Sequence, residues 1–495
     1  MRMKRIIALL AAIAMLVPAV GCSENAADGS EPSQGSVTDS VVNGGNTEAA
    51  EETEAERFEA DIPAGTDYGG AKFNILAYPE TGNVWIDVDF HAEEQTGEIL
   101  NDAVYTRMLM TEDLLNVDIT RTTSAGADGT ELRTSVQASD GAYQVGFVNM
   151  KAAFNLAEQD MLLDMNTMND FQINAPWWDQ NAVKDLSILN RNYMLTGDIS
   201  ILYRKSLRVL YYNKMLAGNY QVESPYEKVS ERTWTFDAFD AMCRQVTEDL
   251  DGNGLMDQND RYGIVYSSGT GMILMVASGV RFADKDENDV PFISFYSEKT
   301  VEVWEKYTSL LFDEQVAANG TANSWDYDAM FRADQGLFAC MELHHVEPLR
   351  EMDSDFGILP MPLFDEAQES YYVTPNTNVA GCLVIPVTNV GFTMTSHVLD
   401  VLGAESKNTL TPAYYEVYLK GKSARDEESR ESLDIIFNSV RYDIGTTYDW
   451  GSMASLPHEM IVAKATDLAS RWKRMEKPVQ KLMEKTLKGF EDTAE

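Results

Sequence analysis

Phe73-Asn74-Ile75-Leu76-Ala77 alternates and reads as a strand, and the elements after it decide the fold. Ile99 to Leu115 carries apolar residues at helical spacing: Ile99, Ala103, Val104, Met108, Leu114 and Leu115. Val117 to Thr120 reads as a short strand, Glu131 to Ala138 as a helix, and Tyr143 to Val148 as an apolar run of strand length. Strand, helix, strand, helix, strand is the rhythm of a parallel α/β sheet.

Downstream, Ala152 to Met161, Ala182 to Asn190 and Phe236 to Asp249 suit helices, with Thr235 as an N-cap. Gly263 to Tyr266 reads as a strand, Val301 to Asp313 and Tyr327 to Gln335 as helices. Gly336 to Leu343, Phe356 to Leu359 and Val379 to Val387 have the apolar density of buried strands. Helices fill most of 394–440 and 456–492, where Pro478 is expected to interrupt or kink the last one. The overall class is α/β.

The 495 residues hold 39 Lys plus Arg and 79 Asp plus Glu, a formal charge of 39 − 79 = −40. Phosphate backbones need a basic face, so nucleic acid is excluded as a partner. Anionic lipid surfaces are disfavoured for the same reason. Four cysteines do not make a disulfide scaffold, and Cys243, Cys340 and Cys382 sit among apolar neighbours as small core residues.

Upstream of the folded part, Arg2, Lys4 and Arg5 precede an apolar run from Ile6 to Val20, too short for a membrane span, which needs about 20 residues. Ala19-Val20-Gly21-Cys22 then resembles a bacterial lipobox, with 1–21 the signal peptide and Cys22 the lipidated residue. Its removal takes away three positive charges and leaves −43. Residues 22–65 read as an acidic tether: between 23 and 60 there are ten acidic residues, one Phe and no Trp, Leu or Ile. Such a stretch buries too little apolar area to offset its ordering entropy. As a coil it would reach roughly 35 Å and stand the body off the membrane.

The most specific local motif is Asp249-Leu250-Asp251-Gly252-Asn253-Gly254-Leu255-Met256-Asp257-Gln258-Asn259-Asp260. Side-chain oxygens fall at positions 1, 3, 5, 9 and 12 (Asp249, Asp251, Asn253, Asp257, Asp260), Gly254 permits the turn at position 6, and the Leu255 carbonyl supplies position 7. That is the pattern of an EF-hand calcium loop. A strand rather than a second helix comes next, so the expectation is a structural Ca2+ clip between a helix end and a strand.

There is no G-x-x-x-x-G-K-[ST], G-x-S-x-G, H-E-x-x-H or C-x-x-C. His344 and His345 are adjacent. On extended chain they point to opposite sides, so they are expected not to share a metal, with one of them free to face a cleft.

Several segments taken in order resemble an extracellular solute-binding lipoprotein of an ABC importer, of the large carbohydrate type. They begin with Pro176-Trp177-Trp178-Asp179-Gln180, Thr196-Gly197-Asp198-Ile199, Tyr212-Asn213-Lys214 and Thr233-Trp234-Thr235-Phe236-Asp237. Asp260-Arg261-Tyr262-Gly263, Phe331 to Met341, Asp355 to Pro362, Pro412-Ala413-Tyr414-Tyr415 and Asp434-Ile435-Ile436 continue the likeness over roughly 70–490. The resemblance implies a periplasmic-binding-protein-like fold of two α/β lobes joined by a hinge, with ligand in the interlobe cleft and closure on binding. Carried onto this chain, lobe 1 takes 66–150 and 330–402, and lobe 2 takes 151–329 and 403–495.

In such folds the loops after strands line the cleft. That nominates Tyr78, Glu80 and Trp85 after the first strand, Asn149 near a crossing, and Trp177, Trp178 and Asp198. Trp325 and Tyr327 lie near another crossing, Glu342 and His344 come after a strand, and Asn376 and Trp450 lie in loops. Aromatic faces with carboxylates and amides suit the C–H faces and hydroxyls of a sugar. The net negative charge leans towards neutral ligands. The implied protein is a monomer on the outer face of the bacterial cell membrane. It makes and breaks no bond, holds a saccharide, and hands it to ABC permease subunits. A surface sugar sensor and a surface glycoside hydrolase are the alternatives.

Overall fold

The computed structural model describes residues 57–78, 91–416, 419 and 427–492. The signal segment, Cys22, most of the acidic tether, Glu80 and Trp85 lie outside the described residues.

The strands are β1 (Ala71–Ala77), β2 (Val117–Thr123), β3 (Val145–Asn149), β4 (Arg208–Asn213), β5 (Tyr262–Tyr266) and β6 (Ala283–Lys285). They continue with β7 (Pro291–Ile293), β8 (Ala317–Asn319), β9 (Gly336–Glu342), β10 (Phe356–Leu359) and β11 (Gly381–Val384). One sheet has the order β11-β3-β1-β2 and a second the order β10-β4-β9-β5-β8, while β6 and β7 form a separate ribbon. β1 runs parallel to β2 and β3, as the opening rhythm predicts, and β11 closes that sheet antiparallel to β3. In the second sheet β5 is parallel to β8 and β9, β4 antiparallel to β9, and β10 antiparallel to β4.

Period-two alternation explains the first sheet. Phe73, Ile75 and Ala77 share one buried face with Ile119 and Phe147, while Leu76 and Val148 serve the other. The helix Ile99–Leu115 has the predicted bounds, ends on Asn116 at φ 51, and packs beside the helix Phe392–Asn408. Thr235 caps Phe236–Cys243 as expected, its hydroxyl accepting the Ala238 amide. That helix is shorter than predicted because the chain turns into a loop closed by paired backbone bonds between Glu248 and Arg261. The last helix, Leu468–Asp492, continues through Pro478, contrary to the expected interruption. Pro478 is exposed, so water can take the carbonyl it leaves without a donor.

The division of the chain between the sheets differs from the expected one. β9 and β10, expected in lobe 1 with the first sheet, pair with β4 and β5 in the second. Residues 161–202, expected in lobe 2, pack on the first sheet: Leu163 N donates to Ile385 O at 2.8 Å and Leu195 N to Leu383 O at 3.0 Å. Phe171, Trp177, Trp178 and Ile199 belong to the same core as Phe73 and Phe147. The chain therefore passes between sheets near 203–207 and 373–380, not near Asn149 or Tyr327. These pairings join residues far apart in sequence, and local pattern carries no information about which partner wins. The tether also ends earlier than expected. Arg57 pairs with Glu405 at 2.5 Å, and Phe58 N donates to Asn408 Oδ1 at 3.0 Å, so the chain is docked from 57 onward.

Asp400, at the centre of the helix Phe392–Asn408, is fully buried. Its Oδ1 accepts from the indole N–H of both Trp177 and Trp178, each at 3.3 Å, and its Oδ2 accepts from Gln172 N at 3.0 Å. Burial pushes its pKa up to about 6 against the pull of these hydrogen bonds. An acid raised in this way loses stabilising free energy as pH climbs from its unfolded value near 3.8 through about 6, and the loss is complete above that. Unfolding free energy of the parent minus that of Asp400→Asn should fall by about 2 kcal/mol between about pH 4.5 and 7. A difference independent of pH would show that Asp400 does not titrate in that window.

Candidate ligand-binding site

Three parallel strands of the second sheet end on the same side. After β5 comes Ser267, after β8 the turn Gly320–Trp325, and at the end of β9 stands Glu342. β4 runs the other way, so its first residue, Arg208, lies in register with Glu342. The returning chain, 373–380, crosses at this end: Asn376 N donates to Ser206 O at 2.9 Å. Carboxyl ends of parallel strands at a change of direction are where α/β folds place ligands.

Glu342 is the centre of the cluster. Its Oε1 accepts from Asn376 Nδ2 at 3.0 Å and lies 3.7 Å from Arg208 Nε. Its Oε2 lies 3.9 Å from His345 Nδ1. Burial raises the Glu342 pKa, but Arg208 and the neighbouring histidines outweigh it and hold the carboxylate below its usual range. Arg208 is 11% exposed, and its Nε and Nη1 are buried and make no hydrogen bond. Behind it, Lys205 and Glu347 form a buried ion pair at 3.4 Å. Burial first, then the His345 charge, holds His344 well below the ordinary histidine range, so it is neutral at pH 7.

His344 and His345 do not diverge as expected. Leu343–His345 is a turn of 3-10 helix rather than extended chain, and the two rings lie 4.1 Å apart, tilted by 38°. Tyr327 is half-buried beside this group, and Trp325, also half-buried, stands at the end of the turn after β8. Burial and the Glu342 charge both raise the Tyr327 phenol. The site thus combines a flat aromatic face, Tyr327, with buried donors and acceptors of both charges. That set can hydrogen-bond a polyhydroxylated solute and stack on its apolar face.

The structure thus gathers Glu342, His344, Asn376 and Tyr327. Tyr78 and Asn149 lie beside the returning chain at 379–381 but serve the backbone: Tyr78 Oη donates to Val379 O at 3.0 Å, and Asn149 Oδ1 caps Met150–Ala157 through Ala152 N at 2.8 Å. Trp177 and Trp178 are core, 3% and 2% exposed. Asp198 is buried in a network with Arg204 at 2.7 Å, Thr411 at 2.7 Å and Lys407 at 3.2 Å. Trp450 is buried too, stacked on Tyr448 at 4.7 Å with its indole N–H donating to Thr486. Sequence position puts Trp177, Trp178, Asp198 and Trp450 in the cleft, whereas the fold consumes all four in packing. Arg208 and His345 join the site without a sequence nomination. The signal for Arg208 is its charge at the head of the apolar run Val209-Leu210-Tyr211-Tyr212.

The acidic loop is ordered by its own carboxylates. Asp249 Oδ2 accepts Gly254 N at 2.7 Å, and the two oxygens of fully buried Asp260 accept Leu250 N at 2.9 Å and Asp257 N at 2.7 Å. Gly254 has φ +81, a conformation that side chains resist. Carboxylate oxygens of Asp249, Asp251 and Asp260 lie within 4.8 Å of one another, a donor set that fits a hard cation.

No family model and no curated protein sequence matches the chain. Solved structures do. A cyclic α-maltosyl-1,6-maltose binding protein from Arthrobacter globiformis superposes with TM-score 0.57 at 12% identity, over 84% of this chain and 99% of that one. A sugar transporter from Rhizobium etli, in an open conformation, superposes with TM-score 0.57 at 13% identity, over 85% and 99%. An ABC substrate-binding protein from Listeria monocytogenes, in complex with cycloalternan, gives 0.53 at 12%, over 85% and 99%. The chain has the periplasmic-binding-protein-like fold of these sugar-binding proteins.

Proposed function

We propose that this chain is a lipid-anchored extracellular solute-binding protein that captures a sugar or oligosaccharide between its two sheets and delivers it to an ABC permease. The observation that carries the reading is the convergence of Glu342, Arg208, His344 and Asn376 on the segment that links the two sheets. A ligand bridging that junction would draw the flanking bodies together, the closure used by two-lobed receptors. The fold likeness supports it, because the three similar structures are saccharide-binding or sugar-transport proteins. The lipobox at Cys22 and the acidic stretch after it support an anchored, standing-off placement. The function requires no catalytic residue, and the chain acts as a monomer. Small-angle scattering tests the closure: a bound oligosaccharide should lower the radius of gyration, and a saccharide that binds without changing it would contradict the hinge.

Calcium is the second component of the reading. Asp249, Asp251, Asn253, Asp257 and Asp260, with the Leu255 carbonyl, would hold Ca2+ and fasten the loop leading into β5. The ion neutralises carboxylates that otherwise repel. At a hundredfold excess over Kd, calcium should raise the unfolding free energy by about 2.7 kcal/mol, and Asp249→Ala should abolish the gain. Equal stability in chelator and in calcium would refute the site.

A further inference from the structure

A second recess lies away from the strand ends that gather Glu342 and Arg208. It encloses about 220 Å3 and is bordered by Gly279, Arg281, Asp284, Ser297, Lys299 and Arg441. Three of the nine residues that line it are cations and one is an acid, on a chain with a net charge of −40. The arrangement is not explained by ion pairing. Arg281 lies 3.5 Å from Asp185 and 3.9 Å from Asp284, both long for a guanidinium–carboxylate pair. The buried Nε of Arg441 makes no hydrogen bond, and the charges of Asp443 and Asp185 act on this guanidinium from farther off. It lies over the ring of Tyr372 at 4.4 Å, which fixes the plane of the guanidinium. The charge of Asp443 acts on both guanidinium groups, while its Oδ2 accepts Phe282 N at 2.7 Å and its Oδ1 accepts Gly445 N at 2.8 Å. Burial, and then the charge of Arg281, lowers the Arg441 pKa, so the two guanidinium groups stand close enough to repel.

Asp185, Asp284 and Asp443 offset part of this positive charge, and an anion between the cations would supply the close contacts that the carboxylates at 3.5 and 3.9 Å do not make. The recess adds a third source of positive potential. Ser297 caps the 14-residue helix Glu298–Leu311 by accepting Thr300 N, and Lys299 lies in its first turn beside Glu298, at an amino end that carries about half a positive charge. Gly279 stands at φ +82, a conformation that favours glycine, and borders the recess beside Lys299 Nζ and the Tyr372 ring. The chain's overall negative charge does not reach the recess strongly, because charges farther than about 8–10 Å are screened at physiological salt.

We propose that this recess binds a small tetrahedral oxyanion of the phosphate class, held by Arg281, Lys299 and Arg441 at the amino end of Glu298–Leu311. Cations approaching from three separate elements match a tetrahedral anion with several charged oxygens. A planar carboxylate would be satisfied by a single guanidinium fork. The anion could be free or the terminal group of a phosphomonoester, and the chemistry that recognises it is the same.

The test is calorimetric titration of the full chain, in chelator, with inorganic phosphate, glycerol phosphate and succinate in parallel. Saturable phosphate binding that weakens at least tenfold in Lys299→Gln and in Arg441→Gln is expected. Lys299 is exposed, so its variant keeps the fold, and an unchanged melting temperature without phosphate verifies this. Tighter binding of glycerol phosphate would assign the site to a monoester, and tighter binding of inorganic phosphate to the free ion. No saturable heat, equal binding of succinate, or phosphate binding unchanged in Lys299→Gln would overturn the proposal.

Discussion

Trp177→Ala should lower the unfolding free energy by about 3–5 kcal/mol and leave saccharide affinity of the folded protein unchanged. The first half rests on burial. Trp177 is 3% exposed, packed among Phe171, Trp178 and the helix Phe392–Asn408. Its ring fills the space above Gly403, where a Cβ would stand 2.3 Å from Trp177 Cδ1. Removing the indole opens a cavity that the rigid helix cannot collapse to fill. It also removes one of the donors to Asp400 Oδ1, leaving that buried acid less well satisfied. The second half separates core from cleft. Equilibrium denaturation gives the stability change, and calorimetry on the folded variant gives the affinity. An affinity loss of tenfold or more with little loss of stability would return Trp177 to the binding surface.

Glu342→Gln should do the converse, weakening saccharide capture by about 10–100-fold with a smaller effect on stability. A hydrogen bond from a ligand hydroxyl to a charged acceptor is worth about 1.5–3 kcal/mol. Glutamine keeps the shape and loses the charge. The substitution also leaves Arg208 without its carboxylate, so its buried donors compete for the glutamine oxygen that Asn376 already uses. Unchanged affinity in Glu342→Gln would place the ligand elsewhere.

These two residues also show what a sequence carries. The β1-to-β3 rhythm is local, so it is legible, as are the bounds of Ile99–Leu115 and the cap at Thr235. The acidic loop is legible for the same reason: the hydrogen bonds that its carboxylates accept from Gly254, Leu250 and Asp257 all lie within the loop itself. Trp177 and Trp178 mislead because an aromatic pair before an acid looks like a sugar platform. Their real partner, Asp400, lies more than 220 residues away. The histidine pair misleads because the strand Gly336–Glu342 stops one residue before Leu343, and the 3-10 turn after it brings both rings to one side. The assignment of β9, β10 and 161–202 to sheets fails because strand pairing across long separations leaves no periodic trace. Glu342 and His344 are legible as residues after a strand and Asn376 as a loop residue, and the structure brings the three together. Arg208 is hidden at a strand's start, where only the antiparallel run of β4 brings it to the same end.

The most direct test of the central claim is a thermal-shift screen of the full chain against mono- and oligosaccharides, with recovery of the added sugar afterwards. The account predicts that one sugar family raises the melting temperature, that the shift grows with concentration as native-state binding requires, and that the sugar returns intact. No shift with any saccharide, or a sugar recovered in fragments, would contradict it.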